Sequence, residues 1–336
     1  MPSSASVILR SENPKFWSSV QELADTLEWQ SPLLMKGALL YQRQRPLDEG
    51  KKLYDHSFIL LWENKPVILF IGAAVESDGK IDLLAYEVPC ISIEDKSRLT
   101  TKAAKTFLKE FDRVTEEVNG SIYYRDFLIE GELSILSQQM LSRGTHVKPG
   151  FCKTIDFRNE KATQKSNIRK SYKSLINWGL RELQPQVYDA SNITWEHMNN
   201  FRQLHIREAG RETRSEESWR RQFEMVQVGE AFSVLGNWNG ELVSAGFFPC
   251  SKTNCYYGVS ASRRDLFEKP LFHALMWSAI LHAQRLGCRW FEVGELLYLN
   301  HSSDKPPSKK ELGISEFKAG FGGETRILLD LSLDCS

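Results

Sequence analysis

Several absences limit the kind of protein that this sequence can encode. No apolar run approaches the roughly 20 residues that span a bilayer, so a membrane span is not expected. The N-terminal residues lack the charged segment and apolar stretch of a signal peptide, and we therefore expect a cytoplasmic protein. Neither sign of charge is in excess, because 43 basic residues balance 43 acidic ones. Proteins that bind nucleic acid usually have an excess of basic residues, so this balance argues against nucleic acid as a partner.

Cysteine patterns that would hold a metal or a disulfide framework are also missing. The cysteines are Cys90, Cys152, Cys250, Cys255, Cys288 and Cys335. They are scattered, and no histidine or second cysteine pair completes a zinc set around the one close pair, so no metal is expected. In a cytoplasm that keeps thiols reduced, we expect all of them to be structural.

The composition that remains is typical of a soluble globular protein. Hydrophobic residues make up 41% of the chain and charged residues 26%. A length of 336 residues predicts about two domains, each with enough volume for its own core.

An internal repeat supports two domains. Residues 58–74, FILLWENKPVILFIGAA, match residues 232–248, FSVLGNWNGELVSAGFF, in pattern. Each segment has an apolar strand, a short polar turn and a second apolar strand, and Gly72 aligns with Gly246 without a gap. Apolar runs bounded by Asn, Gly or Pro predict the strands of a hairpin.

The elements predicted around each hairpin repeat as well. A third strand, a helix and a fourth strand are predicted at residues 81–86, 96–118 and 121–128 in the first half, and at 254–259, 270–286 and 289–293 in the second. Two helices at 194–209 and 215–227 precede the second hairpin, and a basic helix over 161–178 joins the halves. The pattern predicts an α/β protein with mixed sheets in two tandem domains, residues 1–158 and 159–336.

Short motifs carry a family resemblance. In order they are SNIRK at residues 166–170, YYGVSAS at 256–262, WFEVG at 290–294 and EFKAGFGG at 316–323. They are similar to the IRK helix, third strand, FDxG strand and closing FKxGFGG motif of the Fem family of peptidoglycan-bridge transferases. That family is a tandem-domain branch of the GNAT (general-control-related N-acetyltransferase) superfamily. The resemblance implies two acetyltransferase-like domains, the second of which carries the acyl-carrier site.

Two departures point to a looser branch of that superfamily. Residues 262–270, SRRDLFEKP, contain no glycine where acetyltransferases have a glycine-rich pyrophosphate loop. The spacing also leaves no room for the long helical arm of the tRNA-dependent Fem enzymes. The looser branch resembles acyl-CoA-dependent transferases that act on nucleotide-linked amino sugars. This implies a coenzyme A thioester as co-substrate and an amino-sugar nucleotide as acceptor.

Candidate catalytic residues follow from the chemistry of acyl transfer to an amine. The amine must be neutral to attack a thioester, so a nearby base accelerates the reaction. Glu292 and Glu295 flank Gly294 at the end of a predicted strand, and either carboxylate can accept the amine proton. The alternative for each is a solvated carboxylate or an ion-pair partner. His205 is a third candidate, although a lone histidine on a helix is more often structural.

Candidate carrier-binding residues cluster in the second half. A diphosphate ahead of a helix N-terminus would meet positive side chains and free backbone N–H groups, although a solvated basic loop has the same pattern. The predicted carrier set is Tyr257, Gly258, Ser260, Arg263, Arg264, Lys269 and Lys318. The corresponding loop of the first half, residues 87–97, contains Glu94 and Asp95, so we expect only the second half to hold the carrier.

The predicted acceptor-binding residues are His56, Arg169, Trp178 and Phe317. Arg169 belongs to a basic run that can hold phosphate, and Trp178 can stack on a base. A solvated helix face and ordinary core packing are the alternatives for these two residues.

The sequence therefore predicts an acyl-CoA-dependent N-acyltransferase that acts on an amino sugar in bacterial surface-polysaccharide biosynthesis. One alternative is an aminoacyl-tRNA-dependent Fem-type transferase of cell-wall precursors, against which the balanced charge and the missing arm argue. Another is a non-catalytic binding module, which the absence of the glycine-rich loop keeps open.

Overall fold

The chain folds into two compact units, neither of which is continuous in sequence. Unit 1 comprises Met1–Trp29, Gln42–Gly150 and Ile327–Ser336, and unit 2 comprises Gln30–Tyr41 and Phe151–Arg326. The computed structural model describes residues 5–10, 13–159, 163–299 and 306–335. The domain boundary expected between residues 158 and 159 stays a prediction.

Both units contain strands and helices, with several strands in succession around each hairpin. The strands are β1 Ala5–Leu9, β2 Lys52–Asp55, β3 Phe58–Trp62, β4 Lys65–Ile71, β5 Ala73–Ser77, β6 Lys80–Leu84, β7 Ile91–Glu94, β8 Ser121–Asp126, β9 His146–Asp156, β10 Gln186–Tyr188, β11 Ala231–Trp238, β12 Glu241–Pro249, β13 Asn254–Tyr256, β14 Val259–Ser262, β15 Trp290–Leu296 and β16 Glu324–Asp334. The helices are α1 Phe16–Ala24, α2 Lys36–Asp48, α3 Thr101–Thr115, α4 Ile135–Leu141, α5 Tyr172–Glu182, α6 Trp195–Ala209, α7 Glu216–Gln227, α8 His273–Arg285 and α9 Lys309–Ala319.

Unit 1 contains an antiparallel sheet of order β1-β3-β4-β7 and a second group of strands, β2-β5-β6-β8, in which β6 runs parallel to β8. The Thr100 side chain caps α3 by accepting from Ala103 N–H. Apolar residues recur at helical spacing along that helix, so Phe107 packs 5.4 Å from Phe58 between ring centres. The core of unit 1 lies between this helix and the sheet.

Unit 2 repeats this arrangement. An antiparallel sheet of order β10-β11-β12-β14 is accompanied by β13, which pairs parallel to β15, and β15 pairs antiparallel to the Phe151–Asp156 part of β9. Phe232 and Phe248 stack across the hairpin at 5.3 Å between ring centres. The α8 face that includes Leu275 and Ile280 is fully buried against them.

The predicted α/β class with mixed sheets is confirmed, and so are both hairpins, as β3–β4 and β11–β12. The helices expected at 194–209 and 215–227 are α6 and α7, and the Ser215 side chain caps α7 by accepting from Ser218 N–H. Within the described ranges no helix is long and apolar enough to cross a bilayer. All six cysteines are free thiols.

The predicted third strands are partly wrong. The strand expected at 254–259 is two short strands, because β13 pairs with β15 whereas β14 pairs with β12. The strand expected at 81–86 is β6, which pairs with β5 and β8. The first hairpin instead pairs with β7, in a segment that the sequence suggested was a loop. Only two isoleucines alternate inward in β7, which is too short a run to show a clear period.

Several helix boundaries also differ from the prediction. The helix expected at 96–118 starts at Thr101, and the one expected at 270–286 starts at His273, so Pro270 precedes it. The basic helix expected over 161–178 starts at Tyr172, after a 3-10 turn at Lys165–Asn167, and residues 160–162 lie outside the described ranges. Helix α9 was not predicted, although Ser308 and Glu311 form a capping box at its start.

The end of α9 offers a test of the packing in unit 2. A β-carbon on Gly320 would overlap the Tyr172 ring, whereas one on exposed Gly313 in the same helix would meet nothing within 4 Å. We expect Gly320→Ala to lower the free energy of unfolding by about 1–3 kcal/mol through overpacking. Gly313→Ala should raise it by up to about 1 kcal/mol, because alanine favours a helix. Urea unfolding of both variants measures the difference, and equal stabilities would contradict the described packing.

Candidate active site

One segment of unit 2 changes its strand partner in the middle of the unit. In β13, Tyr256 lies opposite Glu292 of β15, and Tyr257 N–H then donates to the Glu292 carbonyl at 2.9 Å. The next N–H, that of Gly258, donates to the Phe247 carbonyl at 3.1 Å, and β14 continues beside β12. The chain therefore leaves β15 beside Glu292, and β14 and β15 diverge from that point.

Strand β15 is bulged immediately after Glu292. Its register with β9 shifts between Glu292 and Gly294, which accommodates one extra residue. Gly294 has a φ of 115°, and a β-carbon there would lie 3.0 Å from Lys318 Nζ. Lys318 Nζ donates to the Glu295 carbonyl at 3.0 Å. Glycine thus lets the lysine lie across the bulge, where it meets the main chain of Glu295.

Neighbours from β9 and β13 hold the Glu292 carboxylate. Its Oε1 lies 3.3 Å from Asn254 Nδ2, and its Oε2 lies 3.9 Å from Cys152 Sγ. Burial, with a smaller contribution from the Glu292 charge, raises the pKa of Cys152 to about 12. The thiol is therefore protonated at neutral pH, and it acts as a hydrogen-bond donor rather than as a nucleophile.

Other ionisable groups lie within electrostatic range of Glu292. Burial raises the pKa of the Tyr256 hydroxyl, and Tyr41 and Glu292 raise it further, so this phenol is protonated at neutral pH. The Glu292 charge raises the pKa of four described groups, which are Cys152 on β9, Cys255 and Tyr256 on β13, and Arg326 on β16. At neutral pH each of them is a hydrogen-bond donor or a cation, which suits a carboxylate.

Lys318 lies in the last turn of α9 and is half-buried. Burial lowers the pKa of its ammonium, and Cys152 and Glu295 oppose that shift. A half-buried lysine with a depressed pKa beside a strand bulge is the kind of group found where a proton or an anion is handled.

The His205 ring is hydrogen-bonded within the protein, as part of a network with Arg214. Its Nε2 lies 3.1 Å from Arg214 Nη1, and because a guanidinium only donates, this nitrogen must accept. Burial and the Arg214 charge lower the pKa of His205 to about 4, so the ring is neutral. Arg214 Nε donates to the Tyr41 hydroxyl at 2.9 Å, and both residues act electrostatically on Tyr256. His205 thus lies in a row of polar groups that leads towards Glu292.

Of the four cations predicted to bind the carrier, three lie in the loop before α8, and two of these three already have partners. Arg263 forms ion pairs with Glu241 and Asp265. Lys269 Nζ lies 4.8 Å from the centre of the Trp238 ring, a cation–π contact. Both side chains are therefore positioned by the protein itself.

Arg264 differs from these two. Its side chain is exposed and has no hydrogen bond or ion pair in the described part of the chain, while its N–H donates to Glu208 Oε2 at 2.8 Å. Helix α8 then begins at His273. Burial lowers the pKa of His273 to about 4, and a bond to the Pro270 carbonyl opposes the shift. Arg264 is thus the cation of this loop that is available to an anionic ligand.

The remaining carrier residues lie at the divergence itself. The Tyr257 and Ser260 hydroxyls are hydrogen-bonded to each other, and the Tyr257 ring packs 5.3 Å from that of Phe272. Burial raises the pKa of Tyr257. Gly258 occupies the point at which the backbone changes partner.

Two of the predicted acceptor residues share one aromatic neighbour. Arg169 Cζ lies 5.4 Å from the centre of the Tyr172 ring, and the Tyr172 hydroxyl donates to the Phe317 carbonyl at 3.2 Å. Trp178 is half-buried against the core of unit 2. Arg169 and Phe317 therefore belong to one cluster, while Trp178 packs on the core.

His56 lies in unit 1, whereas the other predicted site residues lie in unit 2. Its Nε2 is 3.5 Å from Glu117 Oε2. Burial lowers the pKa of His56 despite this carboxylate and that of Asp55.

Unit 1 contains a cavity at its own strand divergence. Cys90 forms a parallel bridge with Tyr124 of β8, after which β7 pairs with β4. A cavity of about 310 Å³ lies at the ends of β7 and β8. Its charged lining residues are Glu28, Glu94, Asp95, Lys96, Asp126 and Glu132. The cavity of unit 1 is thus lined by five carboxylates and one lysine. The loop at the corresponding place in unit 2, residues 263–269, has three cations and two carboxylates.

Several residues around Glu292, Tyr256 and His205 were not predicted from the sequence. Cys152 and Tyr41 are distant in sequence from β15, and only the tertiary strand pairing brings Cys152 beside it. Arg214 precedes α7 and showed no motif. Asn254 gave a weak signal, as a polar residue at the start of a buried strand.

No protein-family profile matches the sequence, and no curated protein matches it significantly. Several solved structures share the fold. FemX matches with a TM-score of 0.67 and 10% identity, over 93% of this chain and 95% of that chain. The C-terminal domain of a putative lysylphosphatidylglycerol synthetase from Agrobacterium fabrum matches with a TM-score of 0.57 and 12% identity, over 94% and 91%.

A tandem GNAT protein from the clavulanic acid biosynthesis pathway matches over 99% of each chain, with a TM-score of 0.54 and 11% identity. Likenesses at this level of identity concern the fold. The chain therefore has the tandem GNAT fold that its motifs implied.

Proposed function

We propose that the protein is an N-acyltransferase, and that unit 2 moves an acyl group from a coenzyme A thioester to an amine. The observation that carries this proposal is the Glu292 carboxylate, which lies where β14 diverges from β15 and within reach of Asn254 and Cys152. A carboxylate held by donors at a strand divergence can accept a proton from an amine directly or through one water.

The proposed reaction needs few catalytic side chains. The amine nitrogen attacks the thioester carbonyl carbon, the carbon–sulfur bond breaks, and coenzyme A leaves as a thiolate that takes up a proton. Glu292 receives the proton that the amine loses and passes it, directly or through water, to the departing thiolate, which restores the carboxylate. Most of the acceleration comes from holding the reactants in line, which contributes an effective molarity on the order of 10⁵ M or more.

The carrier and the acceptor are assigned to different parts of unit 2. In this proposal Arg264, Tyr257 and Ser260 bind the carrier at the loop before α8, and Lys318 contacts the carrier or the acceptor at the bulge. Arg169 and Phe317 face the acceptor, for which we propose a nucleotide-linked amino sugar of bacterial surface polysaccharides, acylated in the cytoplasm. An exposed guanidinium over an aromatic ring suits a phosphate and a base.

Aminoacyl transfer is the second candidate. It is favoured by the fold shared with FemX and with the putative lysylphosphatidylglycerol synthetase, whose name describes a lysyl product. Binding of tRNA that weakens steeply with salt would support this candidate, whereas saturable binding of acyl-CoA supports the first. A chain that binds either ligand and turns over neither would be a binding module.

We expect Glu292→Gln to slow acyl transfer by ~100-fold at neutral pH, the usual scale for loss of a general base. Glutamine keeps the size and hydrogen bonding of the side chain but cannot take the proton, so binding should persist. The defect should shrink as the pH rises towards the pKa of the amine, because more acceptor then arrives neutral. The measurement is kcat/KM against pH for both proteins, with thermal melts alongside.

The matched control is Glu224→Gln, the same change on exposed α7, which should behave as wild type. Lost stability with normal activity per folded Glu292→Gln molecule would make the residue structural. Glu295 and His205 would then be the remaining candidates for the base.

Charge reversal at two loops tests where the carrier binds. We expect Arg264→Glu to weaken coenzyme A binding about tenfold or more at low salt, because the new charge repels the diphosphate. Lys96→Glu makes the same change at the acidic cavity of unit 1 and should leave the affinity unchanged. Isothermal titration calorimetry with coenzyme A distinguishes them, and the reverse ranking would move the carrier to unit 1.

A further inference from the structure

Asn254 is the buried neighbour whose orientation the structure determines most fully. It is completely buried, and its Nδ2 lies 3.3 Å from Glu292 Oε1. Hydrogen bonds at catalytic groups are often long in the absence of substrate and tighten when it binds. The contact therefore places an amide donor against the proposed base.

The amide group of Asn254 can adopt one orientation only. Its Oδ1 lies 2.7 Å from Thr253 Oγ1 and 3.3 Å from the backbone nitrogen of Gln30. A backbone N–H only donates, so the amide atom that faces it must be the oxygen. The NH₂ group must then point to Glu292.

Gln30 is itself anchored to the turn that precedes β13. Its N–H also lies 2.9 Å from Thr253 Oγ1, and its carbonyl accepts from Ser251 Oγ at 2.7 Å. Ser251 in turn pairs with the Asn254 backbone, through N–H to carbonyl at 2.7 Å. Both backbone groups of Gln30 thus fix the turn that carries Asn254.

We propose that Asn254 is a positioning residue, oriented by the Thr253 hydroxyl together with the backbone of Gln30, that holds the Glu292 carboxylate in place for proton transfer. The inference rests on the proposed role of Glu292. It also gives residues 30–41, which precede the first repeat and belong to unit 2, a part in the chemistry of that unit.

The variant Asn254→Asp tests this with little change in shape. It replaces the NH₂ donor by a second carboxylate oxygen, and two facing carboxylates hold one proton more tightly than either alone. We expect the acid limb of the kcat/KM profile to move up by about one pH unit or more, with activity recovering as the pH rises. Asn237→Asp, the same change on an exposed residue of β11, should leave the profile in place.

A second readout does not depend on turnover. The side-chain carboxyl of Glu292, in protein labelled with ¹³C-glutamate and assigned through the loss of its signal in Glu292→Gln, should titrate at higher pH in Asn254→Asp than in wild type. If no acyl transfer is found but this shift is, the proposed function fails and the placement of Asn254 stands.

A milder variant covers the case in which Asn254→Asp does not fold. Thr253→Val removes the hydroxyl that orients the amide, and it should lower kcat at neutral pH about threefold or more while leaving KM unchanged. A folded Asn254→Asp with the wild-type titration of Glu292, or a folded Thr253→Val with wild-type kcat, would overturn the proposal.

Discussion

The candidate site of unit 2 depends on a change of backbone hydrogen-bond partner, from β15 to β12, between two successive residues. Tyr257 N–H bonds to β15, and the next N–H, that of Gly258, bonds to β12. Buried backbone groups must be paired, so an exchange within one residue lets the strands separate without leaving a donor unmet. The bulge at Gly294 follows directly on the partner strand. Glu292 lies between these two irregularities, which is why its side chain meets β9 and β13 together.

The two units use one arrangement with different charges. In each, a segment that pairs with the central strand leaves it and joins the neighbouring sheet. The charged side chains that follow are mostly carboxylates in unit 1, whereas in unit 2 three cations are mixed with Asp265 and Glu268. A duplicated fold therefore need not duplicate a site, because the ligand is selected by side chains that the backbone does not dictate.

Local patterns predicted the elements whose causes are local. Apolar runs and turn residues predicted both hairpins, and helices were predicted where α6 and α7 lie. Helix α9 has a capping box but little apolar periodicity, so no helix was predicted there. The predicted strand at 254–259 is divided into β13 and β14 because the two parts pair with different strands, β15 and β12. Local sequence patterns do not predict such pairing.

The candidate site was predictable to a smaller extent. Glu292 and Lys318 stood in recognisable motifs, and the structure brings both to the bulge of β15. Cys152 and Asn254 contact Glu292 only in the folded protein, because both are far from β15 in sequence. His205 had the right chemistry for a base, but its environment lowers its pKa to about 4 and occupies its ring with Arg214.

The discontinuity of the units bears on how the chain folds during synthesis. Residues 30–41 leave the ribosome long before Asn254, which bonds to Gln30 across 224 positions. Strand β16 leaves the ribosome after the other described elements, yet its Leu331 is buried in the core of unit 1 and its backbone pairs with β8. Closing such long loops costs little at equilibrium but slows folding. We therefore expect neither unit to complete folding until its last segment has been synthesised, with the nascent chain depending on chaperones to cover the edge of β8 until β16 arrives.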